Sequence, residues 1–224
     1  LISDGTFLYG MINQGGANNY GTIFKIKPDG TSYAKLLDFA GISNGSYPSG
    51  SLISDGTFLY GMTAGGGANN YGTVFKIMPD GTGYAKLLDF AVTSNGSRPY
   101  GSLISDGTFL YGMTSSGGPN DLGTIFKIKP DGTGYAKLLD FAGASNGSYP
   151  YGNLISDGTF LYGMTNQGGA NGYGTIFKIK PDGTGFSKLL DFAGTSNGSR
   201  PYGNLISDGT FLYGMTQIGG ANNM

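Results

Sequence analysis

Short apolar runs alternate along the chain with turn-forming dipeptides. Leu1-Ile2-Ser3 leads through the turn Asp4-Gly5-Thr6 into Phe7-Leu8-Tyr9-Gly10-Met11. A glycine-rich loop from Asn13 to Tyr20 follows, then Thr22-Ile23-Phe24-Lys25-Ile26-Lys27, the turn Pro28-Asp29-Gly30, and a run from Tyr33 to Ala40. Ser43-Asn44-Gly45-Ser46-Tyr47-Pro48 closes the series. Runs this short are strand-sized. Asp-Gly and Asn-Gly between them are hairpin signals, because the turn needs residues that tolerate positive φ, and proline ahead of Asp-Gly fits the same geometry. Only 31–40 and 84–95 extend ten residues or more without glycine or proline, and both end in turn residues, so no helix is predicted.

The third run alternates Ile23/Lys25/Lys27 against Phe24/Ile26, and the fourth alternates Tyr33/Lys35/Leu37/Phe39 against Ala34/Leu36/Asp38/Ala40. Period-two alternation with mixed charge predicts outer strands exposed on at least one edge. The first two runs are more continuously apolar, as in strands covered on both faces.

The whole pattern repeats. LISDGTFLYGM begins at Leu1, Leu52, Leu103, Leu154 and Leu205, a period of 51 residues. The units are 1–51, 52–102, 103–153 and 154–204, with a partial fifth at 205–224. Sixteen of the 51 positions vary among the full units in a scattered way, as duplication followed by drift would leave them. Four antiparallel strands per unit make the blade of a β-propeller. The expected fold is therefore all-β: a β-propeller of four-stranded antiparallel blades, four full units plus a half unit. A blade cannot bury its faces alone, so the core must lie between neighbours. A change such as Leu8→Asp, or its equivalents, is expected to unfold the adjoining blades.

Strand counting does not close a ring, since both chain ends supply the same half of a blade. Three readings stay open: part of a longer array, a five-bladed ring with one half-blade, or a chain that joins others through its unfinished edges. The absence of an initiator methionine and the mid-loop position of Met224 favour the first. The third predicts self-association, because uncovered strand edges invite pairing.

Composition narrows the chemistry. Glycine occurs 44 times in 224 residues, which on its own would suit disorder, but 38% apolar and 13% aromatic residues argue for a folded chain. Most of the glycines recur at fixed places, as punctuation of the β pattern. Cysteine, histidine and glutamate are absent. That removes disulfides, thiolate nucleophiles, His or Cys metal ligands and Ser-His-Asp catalysis. A net charge of −1 argues against nucleic acid as a partner, and no apolar run approaches the ~18 residues of a membrane span.

The order D-G-x-x-L-Y-G-x-T-x-x-G-G, then G-T-[IV]-F-K-[IL]-x-P-x-G, then L-x-x-F resembles the gloeo/verruco-type tandem repeat of secreted bacterial proteins. The Gly-Gly pair after the second strand is also similar to a kelch-like blade. The resemblance covers every unit, with one departure: Ile12 stands where later units carry threonine. It implies a propeller, and a secreted or cell-surface location. It implies no catalytic residues.

Each candidate for chemistry has a structural reading beside it. Asp4, Asp29, Asp38 and their copies could act as paired carboxylates or calcium ligands, yet two of the three are turn formers before glycine. Identical environments in every unit also suit multivalent binding better than one active centre. Gly15-Gly16 and Gly65-Gly66-Gly67 lack the strand-to-helix context of a phosphate loop. Asn44-Gly45-Ser46 and its copies are formal glycosylation acceptors, but fit a turn. Lys25, Lys27, Lys35 and their copies are expected on a solvated rim.

The variable positions are the candidates for binding, since loops carry recognition on rigid scaffolds. They are Asn13, Gln14, Tyr20, Tyr71, Asp121 and Tyr173 in the loop after the second strand. In the closing loop they are the alternating Tyr47, Arg98, Tyr149 and Arg200, followed by Tyr100, Tyr151 and Tyr202. Amides and tyrosines suit sugar hydroxyls and sugar faces. The sequence thus predicts a non-enzymatic extracellular structural, adhesive or binding repeat protein. A multivalent lectin is the alternative and an Asp-based glycosidase a remote one. Its partners would be glycans or other copies of itself, with no metal and no cofactor.

Overall fold

A computed structural model describes residues 1–220. Twenty strands and no helix are present among these residues. The first unit forms an antiparallel sheet in sequence order from β1 (Ile2–Ser3), β2 (Leu8–Ile12), β3 (Thr22–Ile26) and β4 (Ala34–Asp38). The second repeats it with β5 (Ser46–Ser54), β6 (Leu59–Gly65), β7 (Thr73–Ile77) and β8 (Ala85–Asp89). The third has β9 (Ile104–Ser105), β10 (Leu110–Thr114), β11 (Thr124–Ile128) and β12 (Ala136–Asp140). The fourth has β13 (Ile155–Ser156), β14 (Leu161–Thr165), β15 (Thr175–Ile179) and β16 (Ser187–Asp191). Beyond it lie two small sheets, β17 (Ser199–Pro201) with β20 (Thr216–Ile218), and β18 (Ile206–Ser207) with β19 (Leu212–Tyr213). The architecture is a β-propeller array of four-stranded blades, and its sheets are not closed into a ring among the described residues. Residues 221–224, the tail of the fifth-unit loop, lie outside the described residues.

The core lies between blades. Tyr60, Met62, Val74 and Phe90 of the second blade pack on Leu103, Leu110, Phe126 and Ile128 of the third. The same octet recurs between the third and fourth, where Tyr111, Met113, Ile125 and Phe141 meet Leu154, Leu161, Phe177 and Ile179. Each junction is centred on an edge-to-face phenylalanine pair, such as Phe90–Phe126 with centroids 5.3 Å apart. The glycine of Leu-Tyr-Gly makes room for it: a Cβ on Gly61 would sit 2.6 Å from the Phe75 ring.

Two expectations about exposure are corrected. The third strand is an inner one: Thr73, Val74, Phe75 and Ile77 are buried and only Lys76 is partly exposed. Its lysine masked this in the sequence. The Lys76 ammonium lies 4.6 Å from the centre of the Phe58 ring and donates to the Pro130 carbonyl of the next blade at 3.3 Å. Its stem covers apolar surface while its head finds an acceptor. Lys25 and Lys127 reach Pro79 and Pro181 in the same way, so these lysines tie blades together and are not a solvated rim.

The fourth strand does not keep strict alternation. Ile23 pairs with Leu37 but Phe24 pairs with Lys35, which leaves Leu36 as an extra residue in a bulge. The bulge turns Lys35 to the same face as Asp38, although residues three apart on a regular strand point oppositely. They form an ion pair at 2.6 Å, and the three other blades repeat it.

Candidate functional site

The antiparallel order sorts the connections by end. The constant Asp-Gly turns, between first and second and between third and fourth strands, lie at one end of every blade. The loop after the second strand and the closing segment lie at the other. All the variable binding candidates fall at that second end or on the inner strand leading from it.

At the constant end the aspartates are committed to local bonds. Asp4 Oδ1 accepts from the Thr6 and Phe7 amides at 2.8 and 2.7 Å, and Oδ2 accepts from the Tyr9 hydroxyl at 2.7 Å. The amide of Phe7 above all, then the Tyr9 hydroxyl, holds the Asp4 carboxyl below its ordinary range. Burial and the Asp4 charge push the Tyr9 phenol up to about 12. Asp29 caps its turn through the Thr31 amide and hydroxyl. At the other end of the sheet Asp38 ties the Gly-Gly loop to the fourth strand through the Ala17 amide. Asn44 accepts from the Ala40 amide and donates to the Asp38 carbonyl, so this Asn-Gly-Ser is a stapled turn. Among the described residues no cluster of carboxylates could hold a metal ion.

At the variable end, Tyr47, Arg98, Tyr149 and Arg200 all have positive φ, between 53° and 56°. Bulky residues rarely occupy that region. Their amides donate to the loop of the preceding blade, at Tyr20, Tyr71, Leu122 and Tyr173 respectively, with distances of 2.8 to 3.0 Å. This bond brings the two groups of candidates together at each junction. Tyr20 and Tyr47 meet edge-to-face with centroids 5.9 Å apart. Asn13 donates to the Pro48 carbonyl at 3.1 Å, and a cavity of about 370 Å³ opens between Asn13, Tyr47, Asn70, Arg98 and Tyr100. A second cavity of about 540 Å³, the equivalent of one beside Tyr20 and Tyr47, includes Gln167, Tyr173 and Arg200.

Toward the inner edge, Tyr100, Tyr151 and Tyr202 form a line with centroids 5.6 and 6.0 Å apart. Burial and the neighbouring phenols of Tyr100, Tyr149 and Tyr202 push the Tyr151 phenol up, while Arg98 opposes them. Tyr100 and Tyr202 are exposed, at 41% and 59%. Two candidates fall outside the cluster. Gln14 is exposed on the first blade, with none of the hydrogen bonds found here. Asp121 has φ 55° and accepts from the Gly117 amide at 2.7 Å, the staple that Asn19 and Asn70 supply elsewhere.

Sequence reasoning missed the residues that seat this line. Along the inner edge the Ser51 amide donates to Ser102 Oγ at 2.7 Å, and the Ser102 amide to Asn153 Oδ1 at 2.5 Å. The Asn153 amide donates to Asn204 Oδ1 at 2.8 Å. A Cβ on Gly101 would collide with the Gly152 carbonyl, so glycine is required for blades to approach so closely. The signal was present as the last residue of each unit, which is Ser or Asn.

No curated protein matches the sequence. Solved structures match the fold. The extracellular domain of a putative one-component system from B. thetaiotaomicron matches with TM-score 0.62 and 14% identity, over 96% of this chain and 25% of that one. A chain of the nidogen/laminin complex matches with TM-score 0.61 and 18% identity, over 89% and 65%. A putative TolB from Agrobacterium tumefaciens matches with TM-score 0.59 and 16% identity, over 94% and 70%. The chain thus spans less than two thirds of the first two. At the level of sequence the Gloeobacter/Verrucomicrobia repeat matches residues 1–109 and 104–224, and with the 51-residue blades behind that match the chain belongs to this repeat family.

Proposed function

We propose that the chain is a non-enzymatic extracellular binding repeat, holding an extended ligand by weak contacts summed over successive blade junctions. The observation that carries this reading is the sorting of chemistry by end. The constant turn aspartates, Asp4, Asp29 and their copies, are used in turns at one end, whereas the variable tyrosines, arginines and amides gather at the opposite end, where the constant Asp38 and Asn44 serve as staples. A tuned pair of unlike carboxylates, which glycoside hydrolysis needs, has no counterpart among the aspartates described above. The extracellular placement draws on the resemblance to secreted repeats and on a fold neighbour that is an extracellular domain. No described helix is long and apolar enough to cross a membrane.

The line of Tyr100, Tyr151 and Tyr202 favours saccharides within this reading, because phenol rings pack on sugar faces and still offer a hydroxyl. Glycan-array binding by the purified chain tests it. Binding lost in Tyr100→Ala and Tyr151→Ala, with the melting curve retained, supports a lectin. Absence of any glycan signal returns the protein to a structural or adhesive role. Turnover of a chromogenic glycoside, abolished by one Asp→Asn change, would overturn the non-enzymatic reading.

A further inference from the structure

The chain contains two arginines, Arg98 and Arg200, at the same position of alternate units. Among the described residues neither forms an ion pair, whereas the four fourth-strand lysines are each paired with an aspartate. Both arginines are exposed and both sit at φ 53°. This region costs an ordinary side chain of order 1 kcal/mol or more, and the sites where such cost persists are enriched in function. Elsewhere the chain fills most positive-φ positions with glycine.

The two surroundings are built from different positions of the unit but are alike in chemistry. Arg98 shares its cavity with the rings of Tyr47 and Tyr100 and the amides of Asn13 and Asn70. Arg200 shares its cavity with the Tyr173 ring and the Gln167 amide. Among the described residues Asn13 Oδ1 and Asn70 Nδ2 have no hydrogen-bond partner, so an acceptor and a donor remain available. Each arginine junction thus combines a flat apolar ring, an amide and an unpaired guanidinium. We propose that Arg98 and Arg200 are carboxylate-reading subsites, and that the ligand is a saccharide polymer bearing uronate groups. The planar guanidinium takes a carboxylate through two parallel hydrogen bonds. The tyrosine ring lies against the sugar's C–H face, and the amide meets its hydroxyls. The alternating Tyr47 and Tyr149 junctions take sugar units by stacking alone.

This inference rests on the saccharide-binding reading above, and the test separates the two. The probes are an oligogalacturonate, the same oligomer after reduction of its carboxyls, and dextran sulfate. Affinities are measured by calorimetry for the whole chain and for Arg98→Tyr, Arg200→Tyr and the double variant. Tyrosine already occupies this position in the first and third units, so these variants keep the backbone. The intact protein should bind oligogalacturonate about tenfold or more tighter than the reduced oligomer, the worth of one charge-assisted hydrogen-bonded pair. The double variant should lose that preference and keep its affinity for the reduced oligomer. Equal affinity for both oligomers, or a preference that survives in the double variant, overturns the carboxylate assignment and leaves saccharide binding standing. Dextran sulfate binding as tightly as oligogalacturonate also overturns it, since charge alone would then suffice. Binding of none of the three overturns the inference and saccharide binding together.

Discussion

Among the described residues three buried side-chain polar atoms have no hydrogen-bond partner: Thr22 Oγ1, Tyr135 Oη and Asp140 Oδ1. Each lies beside a departure from the repeat. In the second blade Thr63 and Thr73 hydroxyls bond at 2.9 Å, but the first blade has Ile12 in place of that partner, so the Thr22 hydroxyl is orphaned. Ala17, Ala68 and Ala170 donate their amides to the fourth-strand aspartate, and Pro119 has no amide to give Asp140. Val92 replaces a positive-φ glycine and sits at φ 24°. The Asn95 carbonyl then accepts from Thr124, whereas its counterpart Asn44 accepts from Tyr84 at 2.6 Å, and Tyr135 is left over. Restoring the repeat should restore the bonds. Ile12→Thr removes a half-exposed side chain and completes a hydrogen bond, worth about 1 kcal/mol, or roughly 2–4 °C in thermal midpoint. Pro119→Ala should also stabilise by about 1 kcal/mol. The charge-assisted bond gained exceeds the ~0.4–1 kcal/mol of unfolded-state restriction lost with proline. Thermal melts decide both, and an unchanged or lower midpoint would sever the link between orphan and substitution. The departure at Ile12 was legible in the sequence. Its consequence was not, because the threonine it displaces pairs with a residue ten positions away.

The hairpin between first and second strands carries part of the protein's pH dependence, beside the lowered aspartates of the third-to-fourth-strand turns, such as Asp29, and the buried Tyr84 phenol, pushed up by burial. The aspartates of these turns are depressed and their tyrosine partners raised, as in Asp4 with Tyr9 and Asp208, the last lowered to about 2. A carboxylate with a depressed native pKa stabilises above its unfolded value, and that contribution fades as pH falls through the native one. A phenol with a raised pKa stabilises below about 10 and loses its contribution as pH rises past its native value. Stability should therefore be flat between about pH 4 and 10 and decline on both sides. Tyr60→Phe should remove part of the alkaline decline, as read by urea midpoints at several pH values. A full alkaline decline in this variant would exclude the pair as its cause. At this scale strand order and most boundaries were legible from turns and periodicity. The bulge at Leu36 was not, since the sequence shows alternation whether or not a residue is squeezed out of register. Asp121 was similarly opaque: as a letter it is a carboxylate, and in place it is a loop staple.

Across the molecule stability is shared by neighbours. Phe126 belongs to the third blade yet lies among Tyr60, Met62, Val74 and Phe90 of the second. Phe126→Ala should cost about 3–5 kcal/mol and expose amides in both blades to hydrogen exchange, while the fourth blade, one junction away, loses less. Protection lost in the third blade alone would contradict the shared core. The 51-residue period made this architecture legible, but the meeting of the candidate tyrosines and arginines at one end needed the folded backbone. One feature of that backbone concerns how such a chain can change its length. In β5, Ser46–Ser49 belong to the first unit by sequence but pair with β6 of the second blade. Inherited unit and folded unit are thus out of phase by about six residues. Insertion or loss of any whole 51-residue segment, wherever its ends fall, reproduces the same splice between consecutive blades. Such an array can lengthen or shorten by recombination without a new junction having to evolve.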